Sequence, residues 1–445
     1  MTVTLPLWLL VLIVVLAAIA ALERVLVPSV RWFFRRRMER VVAQVNTRLE
    51  RKIEPFKLAR RQDMIVRLAY DPRVMEAVTE HAAETGVPLS VAFEEAHGYA
   101  REIVPGFSAS LYFGFAIRAA RRISRAFYRV RVGRVDAALA HIDPKATVIF
   151  VMNHRSNMDY VLVTWLVAGR SAISYAVGEW ARVWPLSAMI RAMGAYFIRR
   201  GSRNALYRRV LARYVQMATA EGTTQAIFPE GGLSLDGQVG PAKMGLLSYI
   251  VQGFDPAGRD VVFVPVGLAY DRVLEDRVLV AAQGTRKFKS QPLKAGLFLL
   301  RMLWRKLRGQ YRGFGTAAAA FGAPISLRAF MAQDGATTEA LGVRLMADIA
   351  AVVPVLPVPL MAAVLMQGVV TRNALPGRLQ VMVDALVAQG AVLRLPPQGM
   401  GQVVVEGLAP LIARGLVTEG LVVVDAAMVG FYAASVPQIA ATPQT

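Results

Sequence analysis

The chain has no cysteine and only four histidines among its 445 residues. The first absence excludes disulfides, a thiolate nucleophile and every cysteine-bearing zinc or iron–sulfur site. The second shortens the search for a functional imidazole to His81, His97, His141 and His154. Acid is scarce as well: 31 Asp and Glu face 52 Lys and Arg, a net charge of +21. A surface of that sign suits phospholipid headgroups, phosphorylated metabolites, acidic carrier proteins or nucleic acid. No zinc-finger or RNA-binding aromatic motif is present, which disfavours the last of these. Charged residues are 19% of the chain and apolar ones 55%, on the apolar side of a soluble protein, so a membrane connection is expected.

The sequence LPLWLLVLIVVLAAIAAL, from Leu5 to Leu22, runs 18 residues without a charge, close to the ~20 that cross a hydrocarbon core of ~30 Å. It predicts a transmembrane helix. A cleaved signal peptide is the competing reading, but no Lys or Arg precedes the run, whereas Arg24, Arg31, Arg35, Arg36, Arg37 and Arg40 follow it. Positive residues stay cytoplasmic, so the rest of the chain is expected on that side. Three later stretches are basic without an acid: Arg118 to Arg134, with Arg118, Arg122, Arg125 and Arg129 on one predicted helical face; Arg199 to Arg213; and Arg286 to Arg312. They suit an anionic bilayer surface or are simply solvated.

Periodicity divides the chain into four parts: an anchor over 1–28, a helical region over 29–135, an α/β domain over 136–330 and a small, mainly helical domain over 331–445. In the third part, short β-rich runs (TVIFVM, AISYAV, AYFI, TTQAIF, VVFVPVGLAY, TAAAAFG) alternate with helical patterns. That alternation predicts a mostly parallel sheet flanked by helices, with chemistry at its loops. In the fourth, Pro354, Pro357 and Pro359 interrupt the apolar run AVVPVLPVPLMAAVLM and argue against a second membrane span.

Three features follow β-runs and a fourth lies within one. The first is Asn153-His154-Arg155-Ser156-Asn157-Met158-Asp159-Tyr160. Five residues apart, His154 and Asp159 point ~140° away from each other on a helix and to opposite faces of a strand. They meet only where a loop turns into a helix. There Asp159 could hold one ring nitrogen and leave the other as a general base; a surface or capping pair is the alternative. The second is Arg199-Arg200 after the run GAYFI, a phosphate clamp or a solvated and a paired arginine. The third is Phe228-Pro229-Glu230-Gly231-Gly232, where glycines admit a close ligand and Glu230 can accept from a hydroxyl. The fourth is Val264-Pro265-Val266, whose proline predicts a sheet edge or a bulge.

In this order, the four features resemble the motif blocks of the glycerolipid acyltransferase superfamily, and within it the glycerol-3-phosphate acyltransferase family of the bacterial membrane-bound type. The lines NHRSNMDYVLV, GAYFIRRGSRNALYRRVLARY, AIFPEGGLSLDG followed by PAKMGLLSY, and VVFVPVGLAYDRVLE carry the likeness. The resemblance implies transfer of a fatty acyl group from acyl-CoA or acyl-acyl-carrier-protein to a phosphorylated glycerol, at the inner membrane, without metal or cofactor. It implies His154 as base and Asp159 as its partner. Arg155, Ser156, Arg199, Arg200, Glu230, Gly231, Gly232, Lys243 and Pro265 are the implied substrate-binding residues. One line departs from the family: its Gly-Gly-Arg-Ser-Arg pattern reads here Gly231-Gly232-Leu233-Ser234-Leu235-Asp236. That leaves lysophosphatidic acid or another lysolipid as an alternative acceptor. A non-catalytic lipid- or carrier-binding protein is the alternative of another class.

Overall fold

The computed structural model describes residues 6–22, 29, 36, 40, 42–133, 139–167, 170–178, 186–199, 201–283, 304, 308 and 313–440. Helix α1, Leu7–Ala21, is apolar on every side, and over residues 7–19 every side chain but the half-buried Leu9 is exposed. Its 15 residues reach only ~22 Å at ~1.5 Å per residue, short of a ~30 Å core. The expected span, Leu5 to Leu22, begins outside the described residues. Among the described residues no helix is long and apolar enough to cross a membrane, and the flanking residues 1–5 and 23–28 lie outside them.

The helical pattern around residue 70 splits in two, α2 (Arg61–Ala69) and α3 (Pro72–Thr85). Asp71 ends one and starts the other: its carboxylate accepts from Arg73 N at 3.1 Å, and Pro72 supplies a preset first-turn φ. Gly86, at φ +70°, closes α3. Helices α4 (Leu89–Ile103) and α5 (Ile117–Phe127) follow. The basic helical face predicted through Arg129 stops at Phe127, because Arg129–Val132 forms strand β1. There Arg129 pairs with Glu406 at 2.7 Å.

The remaining elements alternate. They are β2 (Thr147–Met152), α6 (Met158–Val167), β3 (Ser174–Gly178), β4 (Tyr196–Ile198), α7 (Ala205–Ala220), β5 (Gln225–Ile227), α8 (Gly245–Gln252), β6 (Val261–Tyr270), α9 (Asp276–Ala281), β7 (Thr316–Phe321) and β8 (Ile325–Ser326). Four longer helices complete the chain after α10 (Thr338–Val352): α11 (Pro357–Met366), α12 (Leu375–Ala388), α13 (Met400–Ala413) and α14 (Ala426–Ala433). The strands order as β1-β7-β6-β2-β5-β3-β4, with β8 also on β6. All pairs are parallel except β6 with β7 and with β8. This is an α/β fold with a mostly parallel sheet.

Burial on both faces explains why β2 and β6 read as continuous apolar runs. Val148, Phe150 and Met152 point into one core and Ile149 and Val151 into the other. The first core is shared with α6 and α11–α14, the second with α2–α4, α7, α8 and α10. The N-terminal and C-terminal helices thus cover opposite faces of one sheet.

Pro265 is not at an edge: β6 lies between β2 and β7, with Pro265 opposite Val151. Its carbonyl accepts from Gly322 N at 2.8 Å, so its nitrogen faces the same side. There the β7 pairing ends at Val266↔Phe321 and the β8 pairing begins at Phe263↔Ile325. No ladder bond is asked of the missing N–H, and the proline is tolerated in an interior strand.

Candidate active site

Strands β2, β4 and β5 run in the same direction, so the loops after Met152, Ile198 and Ile227 leave the same end of the sheet. This is the end where α/β sheets place their ligands. Asn153 extends the ladder with its side chain: Nδ2 donates to Leu268 O at 3.0 Å and Oδ1 accepts from Leu268 N at 2.8 Å. The backbone leaving β2 is thereby fixed to β6 just before His154.

The chain then turns into α6, and His154 and Asp159 meet across the junction. His154 Nδ1 lies 2.9 Å from Asp159 Oδ2. The same oxygen accepts from Arg155 N at 2.7 Å and Ser156 N at 3.0 Å, while Oδ1 accepts from the Tyr270 hydroxyl at 2.6 Å. Both dyad residues are buried, His154 1% and Asp159 0% exposed. A carboxylate so placed is compensated by three donors besides the ring, and by the N-terminal end of α6. With Nδ1 donating to the carboxylate, Nε2 carries the lone pair, and among the described residues it has no hydrogen-bond partner. The ring is stacked on Phe228, 4.1 Å between centroids, and meets Tyr160 edge-on at 5.5 Å. Burial, together with Asp159, holds the Tyr270 hydroxyl far above its ordinary pKa, so it remains a donor.

The loop after β5 wraps the same histidine. Glu230 Oε1 accepts from His154 N at 3.0 Å, and Ser234 N donates to His154 O at 2.9 Å. Burial pushes the Glu230 carboxyl up to about 7, against the pull of the His154 N–H and Arg155. Gly231 has φ +64°, and a Cβ there would lie 2.8 Å from Lys243 Cδ. Lys243 is exposed and its N–H donates to Pro229 O at 2.8 Å, which ties the PAKMG segment to this loop. Gly232 is partly exposed beside it. Leu233 and Leu235 pack against the core completed by the C-terminal helices.

His154, Asp159, Arg155, Ser156 and Glu230 are therefore one cluster. Ser156 Oγ donates to Glu275 Oε2 at 2.7 Å, and Arg155 is buried against Phe431 with its ring centroid 4.9 Å away. Arg199 is engaged by the N-terminal helices instead: Nε and Nη2 meet the Glu102 carboxylate at 3.0 and 2.7 Å, and the guanidinium lies over Tyr99 and Tyr207. Arg200 lies outside the described residues. Pro265 sits mid-strand behind the cluster. Asn153, Tyr270 and Glu275 belong to the site and were not singled out from the sequence. Their signal is position: one follows the strand that delivers His154, and two close the line VVFVPVGLAYDRVLE. Among the described residues no group of three His, Asp or Glu could hold a metal ion.

The family model described as Acyltransferase matches residues 134–269, and that described as Glycerol-3-phosphate acyltransferase C-terminal region matches 299–430. Over these stretches the chain is similar to the glycerol-3-phosphate acyltransferase family. A relative named glycerol-3-phosphate acyltransferase from Aeromonas hydrophila is 30% identical over 298 residues, covering 62% of this chain and 34% of its own. Relatives of the same name from Alteromonas mediterranea and Pseudomonas putida are 28% and 29% identical, covering 66% and 64% of this chain and 36% and 34% of their own. The chain spans about a third of the length of these curated relatives. A solved 1-acyl-sn-glycerophosphate acyltransferase from Thermotoga maritima aligns with 65% of this chain and 98% of its own, at 16% identity and a TM-score of 0.33. Within the family's acyltransferase region fall both members of the dyad, the Glu230 loop and most of β6. Phe228, Asn153 and Leu268 fall there too. The C-terminal match ends at residue 430, inside α14.

Proposed function

We propose that this protein transfers a fatty acyl group from an acyl thioester, acyl-CoA or acyl-acyl-carrier-protein, to the hydroxyl of glycerol-3-phosphate. The observation that carries the reading is the buried His154–Asp159 pair with Nε2 left unpartnered. An alcohol is a weak nucleophile near neutrality, and a positioned base contributes roughly a hundred- to ten-thousandfold. Nε2 takes the hydroxyl proton as the oxygen attacks the thioester carbonyl. The C–O bond forms, the tetrahedral intermediate collapses with loss of the C–S bond, and the imidazolium returns its proton to the departing thiolate. Asp159 holds the tautomer and stabilises the cation. Arg199, Arg200 and Lys243 are assigned to the acceptor phosphate, and Glu230 with Gly231 and Gly232 to the glycerol. No metal or cofactor enters the reaction. The basic face of α5, with Arg118, Arg121, Arg122 and Arg125 lining one open groove, and the exposed apolar α1 suit an anionic inner-membrane surface on its cytoplasmic side.

Transfer to lysophosphatidic acid is the second reading, because Leu233 and Leu235 stand where the family's third block carries arginines. Their packing into the core shared with the C-terminal helices gives these leucines a use other than receiving an acyl chain, which favours the smaller acceptor. The test offers radiolabelled palmitoyl thioester with glycerol-3-phosphate or lysophosphatidic acid in parallel. Product from glycerol-3-phosphate is expected. Product from the lysolipid alone overturns the acceptor assignment, and product from neither leaves a binding protein.

A further inference from the structure

Three loops that frame the dyad converge on one pair of residues in α14, Phe431 and Tyr432, both fully buried. Arg155, in the first loop, places its guanidinium 4.9 Å from the Phe431 ring centroid and donates to Gly237 O in the second. Gly237 has φ +93°, and a Cβ there would come within 2.0 Å of Phe431 O, so this loop closes directly on α14. The third loop follows β6 and carries two successive carboxylates that face opposite ways. Glu275 accepts from Ser156 Oγ at 2.7 Å, from Asn157 Nδ2 at 3.0 Å and from Asn157 N at 3.2 Å. Asp276 accepts from the Tyr432 hydroxyl at 2.5 Å and pairs with Arg414 Nη2 at 2.5 Å. The Tyr432 hydroxyl in turn accepts from Arg414 Nη1 at 3.0 Å and Val273 N at 3.2 Å.

We propose that Phe431 and Tyr432 are positioning residues for the His154–Asp159 pair, holding the three loops in register from the C-terminal helices. The proposal rests on the reading of His154 as the base. Neither residue touches the dyad. Tyr432 acts through the Glu275–Asp276 joint, whose one side chain grips α14 and whose other grips the two residues midway between His154 and Asp159. Phe431 acts through Arg155 and Gly237. A displacement of ~1 Å at reacting groups costs on the order of a hundredfold in rate, so a loosened joint lowers turnover and leaves substrate binding largely intact.

Tyr432→Phe removes one hydroxyl and keeps the ring in the core; Phe431→Leu keeps an apolar filling and removes the face under Arg155. For each, kcat per folded molecule is expected to fall about tenfold, with both KM values within twofold of the parent. Unchanged kcat, or a loss confined to KM, overturns the proposal. A second readout needs no turnover: with only four histidines in the chain, ¹⁵N-histidine NMR of the full protein resolves the His154 tautomer. A single Nδ1–H form in the parent and a mixed population in Tyr432→Phe upholds the proposal; the same spectrum in both overturns it. Should the parent transfer no acyl group to any acceptor, the function reading has failed, and the spectrum alone decides the positioning claim.

Discussion

His154 and Arg199 leave the same end of one sheet, yet the two are held in opposite ways. The histidine is sealed in a buried mesh whose outer members belong to the C-terminal helices, by way of Glu275, Asp276 and Tyr432. The arginine stays over a third exposed, gripped by Glu102 and two tyrosine rings of the N-terminal helices and α7. A general base must be fixed in one tautomer and one direction, which a buried, hydrogen-bonded surround provides. A cation that receives a phosphate needs only a held stem and an open face. On the proposed reading, the two helical regions that sandwich the sheet serve different ends of one reaction.

Three changes test that division, in falling order of effect. Tyr270→Phe removes, among the described residues, the one side-chain donor to Asp159 other than the histidine. A hydrogen bond to a buried charge contributes ~1.5–3 kcal/mol, so kcat is expected to drop roughly ten- to a hundredfold with KM unmoved; steady-state kinetics with both substrates reads it. A wild-type kcat would mean that Asp159 needs no orientation from β6. Glu102→Gln frees the Arg199 fork on the opposite side. Acceptor KM should rise several-fold while thioester KM and kcat hold; a change in thioester KM instead would move Arg199 to the donor side.

The third change concerns pH. Glu230 sits at about 7 in the fold against an ordinary 4.5, so the unfolded chain releases this proton first as pH rises. The stability of the neutral, buried carboxyl is full below about 4.5 and is lost as pH climbs through about 7, a loss of at most about 3 kcal/mol. Glu230→Gln should flatten the urea midpoint between pH 5 and pH 8 relative to the parent. Parallel curves would show that the carboxyl is not desolvated.

The spacing of His154 and Asp159 already required a loop-to-helix junction after a strand, and that is where the pair meets. The alternation of β-rich and helical runs likewise announced a mostly parallel sheet flanked by helices. Long-range partners were not legible: Glu102 lies 97 positions from Arg199 and Glu275 119 from Ser156, and no local pattern couples such positions. For Pro265 the sequence offered an edge or a bulge; the edge is excluded, and a gap between two antiparallel partners excuses its missing donor. The leucines of the third block left a lysolipid as an alternative acceptor, and only the fold shows that they pack against the core shared with the C-terminal helices.

The most direct test of the central claim is acyl transfer to glycerol-3-phosphate by His154→Ala beside the parent, with circular dichroism and thermal unfolding to match the folded fractions. Removing a buried imidazole leaves Asp159 with its backbone donors and Tyr270, so the fold should persist while turnover falls by a factor of roughly a hundred to ten thousand. A variant that folds and transfers at the parent's rate would contradict the assignment of His154 as the base.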